Sequence, residues 1–441
     1  MKSTPHPAGP TLPPAPIDRI TKPIQRYLHI EAASGLVLLA ATACALILAN
    51  SPWAHAYHEF WKTSLSLQVG SWSLEHSLEE WINDGLMVLF FFVIGLEVKY
   101  ELVLGELRGL RQALLPIAAA IGGMVVPAGV YLALQHGEPG ERGWGIPMAT
   151  DIAFVVGCMA LLGKRVPHGL RVLLLTLAIA DDIGAILVIA VGYSSGLNWM
   201  ALALAGAGLF VVRGLALLGV RSFLVYTVLG LLIWLAFLTS GVHATLAGVI
   251  LGLLTPARQI IGPERFREFL DHTGDLINGP DWDDNPVRVE KMHSLRQATR
   301  EIVSPLAFLQ TAIHPWVSFV IMPVFALANA GVTFQPSDLT SSVSVAAALG
   351  LVLGKPLGIL LACWLAVWSG LCRLPEGVGW RNLGGGACLG GIGFTMALFI
   401  ASLAMTGTLL DQAKLGVLVG SVVSAVLGAG ILLTTPVKGE G

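Results

Sequence analysis

The chain has 441 residues, 55% of them hydrophobic and only 12% charged, and its mean hydropathy is +0.74. A soluble protein carries about a quarter charged residues, so a water-soluble globule is excluded. A net charge of −2 also excludes the basic surface of a nucleic-acid binder.

The first 27 residues hold seven prolines and no apolar core. They read as a disordered cytoplasmic tail, not a signal peptide. Residues 28–437 then form a single transmembrane domain. Twelve stretches meet or approach the roughly 20 apolar residues that one helical crossing needs. They lie near 31–50, 82–100, 112–135, 145–163, 169–193, 199–219, 222–240, 242–256, 315–334, 343–369, 383–406 and 413–435. Lys and Arg accumulate in cytoplasmic loops, which tests that count. With the N-terminus inside, 22 of the 26 basic residues fall on the cytoplasmic side. Lys62, Arg142 and Lys414 fall outside, and Lys355 falls within a span. A wrong count would scramble this segregation. The expectation is an all-α polytopic membrane protein with twelve transmembrane helices and both termini cytoplasmic.

Two extramembrane segments carry a pattern. In "SLSLQVGSWSLEH", residues 64–76 between spans one and two, Leu65, Leu67 and Val69 alternate with polar residues before Gly70-Ser71. That reads as an outer β-hairpin, with a plain covering loop as the alternative. The cytoplasmic loop 257–314 is long for a connector and is expected to contain amphipathic surface helix. Its "DWDDNPVRVEKM" resembles a calcium loop only superficially. Pro286 stands where glycine is needed, and Met292 where a bidentate Glu is needed. The five cysteines show no CxxC spacing and read as reduced packing residues. No cofactor is expected.

The chemistry concentrates in four charges. "LAIADDIGAILV" buries Asp181 and Asp182 near the middle of span five. Asp151, in "GIPMATDIAFVVG", lies near the middle of span four, and Lys355, in "LVLGKPLG", well inside span ten. One Asp at a helix centre costs about 2.5–3.5 kcal/mol on insertion scales, so four such groups facing lipid would cost on the order of 10 kcal/mol. They must face a protein interior or a wet cavity, where opposite charges meet. Adjacent residues on a helix point about 100° apart. One aspartate can therefore pair with Lys355 while the other opens to an ion pathway. Desolvation disfavours charge of either sign, which suits a site that trades protons for something else. Oxygen ligands suit a hard cation such as Na⁺ or Li⁺. The plain alternative is a buried salt bridge that only fixes packing.

The backbone adds a second signal. Span four is interrupted around Pro147, Thr150-Asp151 and Gly157, and span eleven reads "GGGACLGGIGFTMALF". Glycine weakens a helix, and unwound backbone is tolerated in a bilayer only where it lines a cavity. These are the middle members of spans 3–5 and 10–12. Two broken helices in corresponding positions of inverted repeats point to a transporter binding site. Close packing is the bland explanation of such glycines. It fits span twelve better, where Gly416, Gly420, Ser424 and Gly428 make a small-residue stripe.

These residues resemble a known family. "WINDGLMVLFFFVIGLEVKYEL", "GWGIPMATDIAFVVG", "LAIADDIGAILV", "SGVHATLAGV", "MPVFALANAGV", "LGKPLGI" and "GIGFTMALFIASLA" together resemble the NhaA-type sodium/proton antiporters, in order over residues 25–435. The inverted-repeat rule was itself drawn in part from this family. The resemblance implies electrogenic exchange of cytoplasmic Na⁺ or Li⁺ for external protons across a bacterial inner membrane, for sodium extrusion and pH homeostasis. It implies that Asp182 and Asp181 exchange cation and proton, with Asp182 the more central ligand, Lys355 the partner of Asp181, and Thr150 beside them. Asp151 and Thr150 would sit where the two broken helices cross, Glu97 and Lys99 would line the inner funnel, and Asp84 would lie toward the outer end of span two. His243 matches a position that influences the pH response, although by sequence alone it is as easily a polar cap on span eight. Family members look like dimers joined at the outer hairpin, so a homodimer through residues 64–76 is expected. One departure concerns pH sensing: Gln310 and Thr311 stand where familiar members have an acidic residue and a histidine, and only His314 remains.

Two rivals fit less well. An intramembrane aspartyl protease needs a dyad converging from two helices on one water, and it gives no reason for Lys355. A Na⁺-coupled organic-anion transporter of similar fold calls for more basic or polar groups in the spans than one lysine.

Overall fold

The computed structural model describes residues 31–70, 72–194, 196–220, 222–259, 262–277, 288–289, 292–295 and 302–435. The proline-rich tail of residues 1–27 and most of the acidic stretch 281–292 lie outside them. Among the described residues the regular structure is helical apart from one two-stranded hairpin. Lipid offers no hydrogen-bond partner, so a membrane-spanning backbone must satisfy itself internally, as helices do. Among the described residues seven helical stretches are long and apolar enough to cross a membrane, or up to nine if each of two bent pairs is one span. This is a multi-pass membrane protein.

The helices that position the site are α1 (Glu31–Ala49), α2 (Met87–Val103), α3 (Leu110–Gln135), α4 (Ile152–Leu162), α5 (His168–Gly192) and α6 (Thr245–Leu254). They are followed by α7 (Ser342–Leu349), α8 (Lys355–Trp368), α9 (Trp380–Gly390), α10 (Phe394–Ala404) and α11 (Gly407–Leu433). Helix α6 has only ten residues, about 15 Å at 1.5 Å per residue, half of a hydrocarbon core. The stretch before it, from Thr239 to Ala244, is mostly turn. The apolar run expected at 242–256 is therefore a short helix led by non-helical chain.

Small residues set the closest crossings. A Cβ added to Gly358 on α8 would lie 2.7 Å from the carbonyl carbon of Gly122 on α3, and one added to Gly252 on α6 would lie 2.8 Å from Cα of Gly95 on α2. Without side chains at these points the backbones approach directly, the usual glue of membrane helices.

Two interruptions meet at depth. Glu141–Met148 is a tight 3₁₀ stretch, Ala149 and Asp151 are extended, and α4 starts at Ile152. Helices α9 and α10 meet at a 44° bend over Gly391–Gly393. The Asp151 amide donates to the Ile392 carbonyl at 2.7 Å, which ties one interruption to the other. Just before Lys355 the helix widens into a π-turn, Gly350–Gly354, a feature frequent at functional sites.

Strands β1 (Ser64–Val69) and β2 (Trp72–Ser77) pair antiparallel, from Ser64 opposite Ser77 to Val69 opposite Trp72. Gly70 takes the left-handed conformation (φ +63°) that glycine adopts without a steric penalty. The Trp81 indole donates to the Leu65 carbonyl at 3.0 Å and holds the hairpin to the start of the following helix.

Candidate functional site

Where the interruptions touch, α5 and α8 bring Asp181 and Lys355 together. Lys355 Nζ lies 2.9 Å from Asp181 Oδ2, and both side chains are fully buried. The ammonium also donates to the Met148 carbonyl. The Thr150 hydroxyl lies 2.7 Å from the same Asp181 oxygen and 3.0 Å from the Gly390 carbonyl. Both non-helical segments thus feed one ion pair: Met148 and Thr150 from the first, Gly390 from the second. The other oxygen, Asp181 Oδ1, is buried without a partner among the described residues.

Asp182 is 3% exposed, and its carboxylate takes no hydrogen bond among the described residues. The charged groups facing it include Glu97 of α2, Asp181, Asp151 and Lys355. Adjacent carboxylates therefore have opposite circumstances. Asp181 is held by a cation and a hydroxyl. Asp182 is held by nothing, and a buried, unpartnered carboxylate is stable only if it is protonated or has bound a cation. Such a group can exchange one for the other.

Asp151 has a different task. One carboxylate oxygen, Oδ1, accepts from the Phe154 amide at 3.2 Å. The other, Oδ2, accepts from the Thr395 amide at 3.0 Å and from the Thr395 hydroxyl. Phe154 lies in the first turn of α4 and Thr395 in the first turn of α10, so one carboxylate caps the N-termini of two half-helices. Each end presents free N–H groups and partial positive charge. A single negative side chain offsets both.

The sequence profile of the family described as Na+/H+ antiporter 1 matches residues 25–432. The chain belongs to this family. It is 57% identical over 424 residues to the Na(+)/H(+) antiporter NhaA of Rhodopirellula baltica, a match that covers 96% of each chain. It is 52% identical over 431 residues to the Na(+)/H(+) antiporter NhaA of Rhizobium meliloti, covering 96% of this chain and 98% of that one. Identity to Na(+)/H(+) antiporter NhaA 2 of Acidiphilium cryptum is 51% over 425 residues, covering 96% and 95%. Membership makes the chain a sodium/proton exchanger, a transporter and not an enzyme.

Of the residues the sequence singled out in this antiporter, Asp151, Thr150, Asp181, Asp182 and Lys355 converge, and Glu97 faces Asp182. His243 is not among them. It lies ahead of α6, with Nε2 3.6 Å from Asp84 Oδ1 and Nδ1 2.9 Å from the Thr245 hydroxyl. Asn83 and Asn329 pair side chain to side chain beside it, at 2.9 and 3.3 Å. The Trp234 indole donates to the Asp84 carbonyl at 2.7 Å. The His243 ring meets the edge of Phe399, and Phe399 packs in turn on Phe91 and Phe325. This is a second polar cluster, bordered by aromatic rings.

Sequence reasoning missed Thr395 and the carbonyls of Met148, Gly390 and Ile392. A carbonyl leaves no mark in a sequence. Thr395 had one available signal: it is the first hydroxyl after a glycine-rich interruption, at the mouth of a half-helix.

Proposed function

We propose that this antiporter binds Na⁺ or Li⁺ at Asp182 and Asp181, with Thr150 contributing an oxygen, and releases protons in exchange. The observation that carries the reading is the asymmetry of the two aspartates: Asp181 Oδ2 is tied to Lys355 and Thr150, while among the described residues Asp181 Oδ1 has no partner and the carboxylate of Asp182, 3% exposed, takes no hydrogen bond. A hard cation takes oxygen ligands, and the open oxygens lie on consecutive residues. Asp151 stabilises the two half-helix ends around them, Glu97 with Lys99 lines the approach from the cytoplasm, and Asp84 with His243 lies on the outer route, where His243 affects the pH response.

The reading includes twelve spans with both termini cytoplasmic, in which α4 and α10 are the second halves of broken spans four and eleven. Basic residues segregate accordingly, and paired broken helices within inverted repeats are the architecture of midplane ion sites. The protein works in a bacterial inner membrane as a homodimer joined through the 64–76 hairpin, and extrudes sodium for pH homeostasis. Exchange is electrogenic: more than one proton enters per Na⁺ extruded, and the membrane potential acts at about 2.3 kcal/mol per net charge per 100 mV. In inside-out vesicles loaded with a pH-sensitive dye, added Na⁺ raises the internal pH. A lumen that stays acidic after Na⁺ addition refutes the assignment.

A further inference from the structure

The Gly391–Gly393 break is gripped by two elements, and only the first takes part in the site described above. From the 149–151 segment, Thr150 and Asp151 hold the Gly390 and Ile392 carbonyls and the Thr395 amide. From α11, the Ser421 hydroxyl accepts from the Gly393 amide at 3.3 Å. Gly393 is the N-cap of α10 and has no side chain to cap the helix itself. Ser421 supplies an oxygen at that end.

One turn further along α11 lies Ser424. It is 1% exposed, and its hydroxyl has no hydrogen-bond partner among the described residues. A Cβ added to Gly391 would lie 2.7 Å from that hydroxyl oxygen, so the group is aimed at the break. Buried hydroxyls are almost always partnered, and leaving one free is destabilising. Helix α11 is meanwhile fixed on its other contacts. Added Cβ atoms at Gly416 and Gly420 would lie 2.8 and 3.1 Å from Cα of Ser344 and Ala348 on α7. Two serines about 4.5 Å apart along one helix thus face the break, one hydrogen-bonded to it and one without a partner among the described residues.

We propose that Ser421 and Ser424 are positioning residues of the exchange site: Ser421 seats the break, through Gly393, in the state seen here, and Ser424 is the seat it takes when the site changes access. The inference rests on the exchange reading above. Each seat favours one access state, and the apparent affinity of a cation scales with the fraction of molecules in the state that binds it.

Exchange is measured on purified, reconstituted protein as a function of Na⁺. Ser421→Ala and Ser424→Ala shift the apparent KM for Na⁺ in opposite directions, by up to about fivefold, the equilibrium weight of one ordinary hydrogen bond. The double variant returns toward the parent value, and Ser421→Thr, which keeps the hydroxyl, stays near it. Shifts in the same direction, or no shift in either variant, overturn the proposal, because a merely structural serine gives those results. If either alanine variant fails to reach the membrane, the matching cysteine variant is read by the same criteria. Asp182→Asn is measured in parallel. Exchange that survives in it defeats the underlying site reading, whereas an inactive Asp182→Asn beside unshifted serine variants defeats this inference alone.

Discussion

Two of the pairings of a carboxylate with a basic side chain, Asp181 with Lys355 and Asp84 with His243, differ in depth. Asp181 and Lys355 are 2.9 Å apart with neither side chain exposed. Asp84 and His243 are 3.6 Å apart, with side chains 26% and 13% exposed. At the first, each charge has only the other and a few backbone or hydroxyl groups to answer it. At the second, both side chains are partly exposed and the histidine also has the Thr245 hydroxyl. A dry pair must keep both members and stays rigid, while a wet pair can lose one and adjust. Exchange chemistry needs a group that is dry yet unpaired. Asp182, next to the dry pair but outside it, is buried and takes no hydrogen bond among the described residues, which is why the proposal places the exchange there.

The harshest way to break this contrast is to neutralise the unpaired group. Asp182→Asn is expected to abolish Na⁺-dependent proton movement in vesicles while the protein still inserts and purifies, because an amide can neither release a proton nor hold a cation as a carboxylate does. Near-normal exchange in that variant would remove the core of the proposal.

Next in size is the dry pair itself. Lys355→Ala leaves Asp181 buried with only the Thr150 hydroxyl beside it, and breaking a buried pair in this way costs about 3–5 kcal/mol. A large fall in the temperature of thermal unfolding is expected, with much of it recovered when Asp181→Asn is added, since that variant no longer buries a lone charge. Lys355→Gln sharpens the point. A desolvated lysine can give up its proton, whereas an arginine cannot. If Lys355 carries one of the exchanged protons, the charge moved per cycle changes in reconstituted Lys355→Gln. An unaltered value makes the lysine a clamp, with both protons carried by the aspartates.

How much of this could be read in advance varies from residue to residue. Asp181, Asp182, Asp151 and Lys355 stand out in any sequence because each charge interrupts an apolar run that could otherwise enter lipid. Their convergence followed from charge balance, but which aspartate meets Lys355 came only from the resemblance: a 100° step between neighbours on a helix leaves the choice open. Thr395 stayed invisible because a threonine in an apolar helix usually bonds back to its own backbone, and nothing local says that it faces Asp151 across 244 residues. Carbonyl partners cannot be read at all. Helix α6 shows the limit of hydropathy, which marks residues 242–256 as uniformly apolar without revealing that the helix starts only at Thr245.

The wet pair should respond more mildly. The Asp84–His243 contact is an ion pair only when the histidine is protonated, and even a partly exposed ion pair is worth about 0–1 kcal/mol, so Asp84→Asn and His243→Gln are each expected to shift thermal unfolding little. Both should leave exchange active but alter its dependence on pH. A collapse of stability as large as that of Lys355→Ala would show that the fold depends on the outer cluster no less than on the central one, and the contrast would fail.

The smallest expected effect on exchange comes from the region farthest from either pair in chemistry, the hairpin. Six residues of β1 pair with six of β2, and a two-stranded hairpin alone is marginally stable. Here it is tethered by the Trp81 indole on Leu65 and by the Ser77–Glu80 capping box at the start of the next helix. Its paired strands leave one backbone edge each unsatisfied, and an exposed edge is a template for another strand. In the proposed dimer a second copy of the chain would supply such a strand, which is why the interface is placed here. Deleting residues 64–76 removes both edges but leaves Trp81 and the Asp84 cluster in place. The variant is expected to run as a monomer by native mass spectrometry and to exchange at the parent rate per protomer. A dimer that persists without the hairpin locates the interface elsewhere. A monomer that no longer exchanges would mean that the hairpin reaches the transport site through the helix it leads into.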